Sequence, residues 1–275
     1  MAMALPGALV TRGLIAFALA LVVFLSLRGN EGGLLGSGLT VANFAEIFGD
    51  TLYWTVILRS LAIAGVVTLA TVAAAYPVAY YLAFHAGPKR GLILFLVTLP
   101  FWTSYLLRVF AWKIVLAYNG VLNSALTGAG VLSEPTTAFL NTPAAVVVTL
   151  AHAYAPFAIL PIYVALQTIP GSLLEAASDL GARPFDTFRR VVLPISMPGV
   201  LAGALVVFVP TFGDYVTPAL VGGPSSTMIG SLIQSQFGKA NDWPFGSALA
   251  VVVMAVILAT LLVVRRADRV FGSRM

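Results

Sequence analysis

Cysteine is absent from the 275 residues, which removes disulfides, thiolate metal sites and cysteine nucleophiles together. Histidine is nearly absent: His85 and His152 are too few for a histidine-based metal centre. Charge is scarce as well. Lys, Arg, Asp and Glu make up 9% of the chain, where an average soluble domain has about a quarter. Apolar residues fill the gap, at 60% of the chain and a mean hydropathy of +0.99, and that balance specifies a membrane protein. The formal net charge is +5, but positive residues collect on the cytoplasmic side of membrane spans, which accounts for the excess. No basic patch with interleaved aromatics lies outside the apolar segments. Nucleic acid is therefore not an expected partner.

The means to hydrolyse a nucleotide are missing too. A phosphate-binding loop ends in Gly-Lys-Ser or Gly-Lys-Thr. Of Lys89, Lys113 and Lys239, only Lys239 follows a glycine, and Ala240 stands where a magnesium-binding hydroxyl is required. Serine, histidine and acidic residues are scattered, and "GPSS" at 223–226 is no nucleophile elbow. The chain reads as a non-enzyme with no cofactor and no metal. His85 is expected to be solvated and His152 packed.

Lipid offers no partner to backbone N–H and C=O groups, so a bilayer is crossed by about 20 apolar residues in a helix. Segments 6–27, 56–84, 91–117, 143–168, 199–220 and 246–264 qualify. They predict an all-α polytopic fold with six transmembrane helices. The first has only Arg12 as a basic flank and no small-residue cleavage site after Leu27, so it is expected to be a retained anchor. The expected organisation is an N-terminal helix and outer loop at 1–55, a five-helix membrane domain at 56–264, and a tail at 265–275.

Lysine and arginine set the orientation. With both termini in the cytoplasm, the inner loops hold Lys89, Arg90, Arg183, Arg189 and Arg190, and the tail adds Arg265, Arg266, Arg269 and Arg274. The outer loops then hold only Arg28 and Lys239, beside Glu31, Glu46, Asp50, Glu134 and Asp242. Trp54 and Trp243 fall at outer span ends, where amphipathic rings favour the interface.

Against this background one inner stretch stands out, "EAASDLGARPFDTFRRVVLPISMPG" at 175–199, which gathers Glu175, Asp179, Arg183, Asp186, Arg189 and Arg190. Ser172 and Glu175 have the spacing of a capping box, and Gly181 suits the left-handed position that ends a helix. Leu173, Leu174, Ala177 and Leu180 form an apolar stripe. Pro184 fits the first turn of a second short helix, Phe185 to Val191, with Pro194 and Pro198 closing the segment before the fifth span. Helices this short are marginal in water, so something is expected to receive them. A bare hairpin lying on lipid headgroups is the alternative.

Glu175-Ala176-Ala177, Gly181 after three residues, and Val191-Val192-Leu193-Pro194 after nine more resemble the EAA loop of type-1, MetI-like membrane permeases of ABC importers. Valine for isoleucine at 191 is the one departure. The resemblance implies that the loop docks on a cytoplasmic ATPase dimer, with Glu175, Ala176, Ala177, Gly181, Leu193 and Pro194 as the coupling residues. It implies a bacterial inner-membrane location, a second permease and an external solute-binding protein. The stretches 99–112, 212–237 and 242–250 resemble one branch of that family, the PotB-like spermidine/putrescine permeases. That branch implies a small cationic substrate and a PotC-like second permease in a heterodimer.

Ionisable groups inside a bilayer cost about 2.5–3.5 kcal/mol or more. Asp214 in "VPTFGDYVTPALVGG" is the sharpest case, flanked by Pro210, Gly213 and Pro218, which suggest an interrupted helix. It either pairs with Arg108 or Arg59 or faces a translocation path for a cation. Trp102, Tyr105 and Tyr215 could stack on ammonium groups there, or serve only as packing residues. The helix expected in "STMIGSLIQSQF" is either a lid, a contact for the binding protein, or simply interfacial. Importers of opines or amino-acid derivatives, a secondary transporter or channel, and an anchoring subunit with no path remain the rival readings.

Overall fold

The computed structural model describes residues 5–31 and 34–272. Arg274 of the expected tail lies outside the described residues. The chain opens with helix α1 (Leu5–Ser26) and a two-stranded antiparallel hairpin, β1 (Arg28–Glu31) and β2 (Leu34–Leu39). Nothing in the hydropathy foretold that hairpin. Asn43 of the short α2 (Ala42–Gly49) donates from Nδ2 to the carbonyls of Ser26 and Arg28, at 3.0 and 2.8 Å, tying α2 to the end of α1.

Helix α3 (Thr51–Phe84) is capped by Asp50, whose carboxylate accepts from the Leu52 amide at 2.8 Å. Its 34 residues span about 50 Å at 1.5 Å each, longer than the hydrocarbon it crosses. The third expected span, 91–117, is not one helix. It is divided into α4 (Arg90–Thr98), a 3₁₀ turn at Leu99–Trp102, an extended Thr103, and α5 (Tyr105–Leu116). Pro100 has no N–H to continue the ladder, and the Thr103 hydroxyl donates to the Pro100 carbonyl at 2.7 Å, closing the turn. A short α6 (Val121–Gly128) follows.

Helix α7 (Pro143–Gln167) starts with proline in its first turn and Thr142 as its cap, accepting from Ala145 N at 3.1 Å. Then come α8 (Gly171–Asp179), α9 (Pro184–Thr187), a π turn at Phe188–Val192 and α10 (Leu193–Phe212). The expected stop at Pro194 and Pro198 is absent: the helix is continuous over Pro184–Phe212. The wider π turn lies just ahead of Pro194, whose ring cannot donate to the preceding turn. The interruption expected near Asp214 is present, between α10 and α11 (Val216–Val221). Helices α12 (Ile229–Gly238) and α13 (Trp243–Gly272) complete the chain.

Among the described residues, five segments are long and apolar enough to cross a bilayer: Thr51–Phe84, Tyr105–Gly128, Pro143–Gln167, Pro184–Phe212 and Trp243–Val264. Helix α1 is a further apolar helix on the flank, packed along α13. The main core lies where α3, α7 and α10 meet and includes Val67, Leu82, Leu150, Ile162, Leu166 and Val207. A second core joins α2, the start of α3, the end of α10, α12 and α13 through Ile47, Ile57, Phe212, Ile229, Phe245 and Leu249. Close helix approach depends on "GVLAG" at 199–203. A Cβ at Gly199 would strike the Ala165 side chain and lie 2.6 Å from the Pro161 carbonyl, and one at Gly203 would lie 3.2 Å from the Ala158 carbonyl. Where lipid supplies no hydrophobic drive, such small residues let helices gain dispersion contact.

Candidate functional site: a projecting helical pair and a polar break in the bundle

At one end of the bundle α8 projects. Its C-terminus forms a complete Schellman motif. The Ala182 amide donates to the Ala177 carbonyl at 3.0 Å and the Gly181 amide to the Ser178 carbonyl at 2.9 Å, with Gly181 at φ +74. Its N-terminus differs from expectation. Pro170, two residues before Ser172, is the cap residue and no side-chain capping bond forms, because Ser172 already lies inside the helix. The capping box is therefore absent, and Glu175 is not tied up in one.

The apolar stripe also divides. Leu174 packs on the core, whereas Leu180 is 88% exposed and Leu173 is 43% exposed. Glu175 and Ala176 are exposed and Ala177 is half-buried. Phe185 of α9 is 69% exposed, and Asp186 pairs with Arg190 at 3.7 Å on the surface, where such a pair contributes little. Between α8 and α9 lies an open cavity of about 340 Å³, bordered by Ala177, Leu180, Gly181, Asp186 and Arg190. Leu193 and Pro194 do not project with Glu175. They are half-buried at the root of α10.

That root is keyed to α3. Phe188 meets Tyr76 edge-on, with centroids 5.7 Å apart, and Tyr80 at 6.1 Å. The Tyr76 hydroxyl and Ser196 Oγ are 2.8 Å apart.

In the opposite half of the bundle, the α10–α11 break holds Asp214, 8% exposed. Tyr105 Oη donates to Asp214 Oδ2 at 2.9 Å, Val216 N donates to Oδ1 at 3.1 Å, and Thr217 N donates to Oδ2 at 3.3 Å. The hydroxyls of Tyr105 and Thr217 lie 2.6 Å apart. The carboxylate thus caps the start of α11, where the helix dipole favours an anion. Of the two readings of Asp214, the ion pair does not form with either arginine. Arg108 Nη1 donates to the Ala153 carbonyl at 2.8 Å, and Arg59 Nη1 donates to the Pro224 carbonyl at 3.3 Å. Tyr105 stands between the two charges, its hydroxyl on Asp214 and its ring 5.9 Å from the Arg108 guanidinium.

Tyr105, Arg108 and Asp214 are thus gathered into one network. Trp102 is 81% exposed beyond it, at the break before α5, and Tyr215 is 47% exposed beside Asp214. Thr217 and Tyr154, whose ring is 6.2 Å from that of Tyr105, belong to the network and were not anticipated. "DYVT" at 214–217 was the available signal, an acid placed to receive the first amides of a helix. His152 is not packed away. It is exposed and accepts from Trp112 Nε1 at 3.1 Å. His85 is exposed, stacked on Tyr81.

Solved structures share this fold. A chain of a bacterial alginate ABC transporter superposes with TM-score 0.79 at 17% identity, covering 98% of this chain and 94% of that one. A chain of the MetNI methionine ABC transporter gives 0.57 at 20% identity, covering 82% and 99%. In sequence, the spermidine/putrescine transport system permease protein PotB of Haemophilus influenzae is 38% identical over 237 residues, 86% of this chain and 82% of that protein. PotB of Escherichia coli is 39% identical over 236 residues, 86% and 85%. Residues 75–275 match the family of binding-protein-dependent transport system inner membrane components. The chain belongs to that family and is a multi-pass inner-membrane permease subunit.

Proposed function

We propose that this chain is one of two permease subunits in an ATP-driven importer of a polyamine such as spermidine or putrescine. The observation that carries the cargo assignment is the 38–39% identity to PotB permeases over 86% of the chain. ATP is bound and hydrolysed by a separate cytoplasmic ATPase dimer, a PotC-like permease completes the membrane unit, and an external binding protein delivers the cargo. Both termini are cytoplasmic, which also sets the α8–α9 end inside the cell.

Helices α8 and α9 dock on the ATPase. Exposed Glu175 and Ala176, half-buried Ala177 and the Gly181 cap supply the contact. Leu193 and Pro194 anchor its root, and Phe188 passes the movement to α3. The cargo passes the α10–α11 break. Tyr215 and Trp102 offer exposed ring faces to ammonium groups, while Asp214 supplies negative potential from one hydrogen-bonded layer behind, through Tyr105. Arg108 borders the same network. Uptake by proteoliposomes carrying both permeases and the ATPase, with binding protein outside, tests the reading. ATP-dependent spermidine uptake supports it. A complex that hydrolyses ATP in response to its binding protein yet moves no polyamine overturns the cargo assignment.

A further inference from the structure

The break between α10 and α11 leaves backbone carbonyls as well as a carboxylate to account for. In a continuous helix the Thr217 amide would return to the Gly213 carbonyl, but it donates to Asp214 Oδ2 at 3.3 Å. Pro218 stands where the Asp214 carbonyl would find its donor, and it has no N–H. Among the described residues, no hydrogen bond reaches either carbonyl. Both meet α12 at Gly230, where an added Cβ would strike the Gly213 carbonyl and lie 2.9 Å from that of Asp214. The Ile229 amide donates to the buried Ser60 Oγ at 2.8 Å and holds the start of α12 in that position. Between the break and α12 is an open cavity of about 420 Å³, bordered by Gly213, Tyr215, Gly230, Gln234 and Phe237. Its lining contains no charged side chain. Tyr215 is 47% exposed there, and the Phe237 ring is set edge-on against Trp243, with centroids 5.5 Å apart.

We infer that this cavity receives one ammonium group of the cargo, held by the Gly213 carbonyl, the rings of Tyr215 and Phe237 and the neutral Gln234 amide. Unpaired carbonyls at an interrupted membrane helix and aromatic faces are ligands for a cation. Helix α10 ends at Phe212, so the negative end of its dipole lies at the same place. A divalent metal ion would require carboxylates, which the lining lacks. The inference rests on the polyamine reading above. It adds α12 to the cargo path and makes Gln234 and Phe237 determinants of charge selection.

The test measures spermidine imported per ATP hydrolysed, in proteoliposomes carrying the complete transporter with binding protein outside. Gln234→Lys sets a like charge in the cavity and is expected to lower that ratio about tenfold. Phe237→Leu keeps an apolar contact, removes the π face and is expected to lower it several-fold. Gln234→Glu and Phe237→Tyr are expected to keep most of it. The sign of the charge is the readout that a merely structural role would not move, so equal losses in Gln234→Lys and Gln234→Glu overturn the inference. An unchanged ratio in Gln234→Lys or Phe237→Leu overturns it too, and where uptake and hydrolysis fall together α12 is assigned to docking of the binding protein instead. A wild-type transporter that hydrolyses ATP in response to its binding protein yet imports no spermidine refutes the polyamine reading itself, so the two failures are distinguishable.

Discussion

Asp214 shows how much a single side chain is asked to do in an apolar bundle. Its carboxylate accepts from one phenol and two amides, so α11 starts where that charge sits. Asp214→Ala is expected to lose about 1–2 kcal/mol of stability, the usual magnitude for a lost cap, read by thermal unfolding on tryptophan fluorescence in detergent. Asp214→Asn should retain more of that stability yet lower spermidine uptake, because it keeps the shape and removes the potential. Equal uptake by wild type and Asp214→Asn would confine the residue to capping. Gly181 poses the simpler case. It has φ +74 with nothing within 4 Å of an added Cβ, so Gly181→Ala meets backbone strain alone, about 1 kcal/mol, and Gly181→Asn less. Protease sensitivity of the α8–α9 connection is the local readout. Gly181 was legible in the sequence because a glycine after a short helix has one common use. The role of Asp214 was not, since a buried acid beside two arginines reads equally well as an ion pair.

Among the elements, α10 carries the most information. It follows directly on the π turn at Phe188–Val192, runs along α7 on Gly199 and Gly203, and ends at the Asp214 break. Gly199→Val should separate α7 from α10 and destabilise the chain by about 1–3 kcal/mol, as overpacking does, lowering its unfolding temperature in detergent. Phe188→Ala should behave differently. Loss of the contacts with Tyr76 and Tyr80 is expected to leave binding-protein-stimulated ATP hydrolysis largely intact while uptake falls several-fold, with Phe188→Leu intermediate. Uptake that falls only in proportion to hydrolysis would remove Phe188 from the transmission. Hydropathy revealed where α3, α7 and α13 lie, because their apolar runs are unbroken. It misjudged the prolines. Pro100 divides the third span, whereas Pro194 is carried inside a helix by the π turn before it, and composition alone does not distinguish these outcomes.

At the scale of the whole molecule, the chain is a bundle with much exposed apolar surface and a projecting helical pair. Leu180 at 88% and Phe185 at 69% exposure are large side chains left without cover at the α8–α9 end. The sequence motif at 175–194 pointed to the family of this protein more specifically than hydropathy, which marks membrane spans in proteins of many functions. Glu175→Lys combined with Gly181→Asp is expected to leave membrane insertion intact, judged by chain content of purified membranes, and to abolish ATP-driven uptake. The absence of cysteine makes the central claim directly measurable. In the assembled transporter, Leu180→Cys should cross-link to a cysteine placed in the ATPase, with a yield that changes on ATP binding, while Trp102→Cys should not. A transporter that imports its cargo while Leu180→Cys never joins the ATPase would contradict the account.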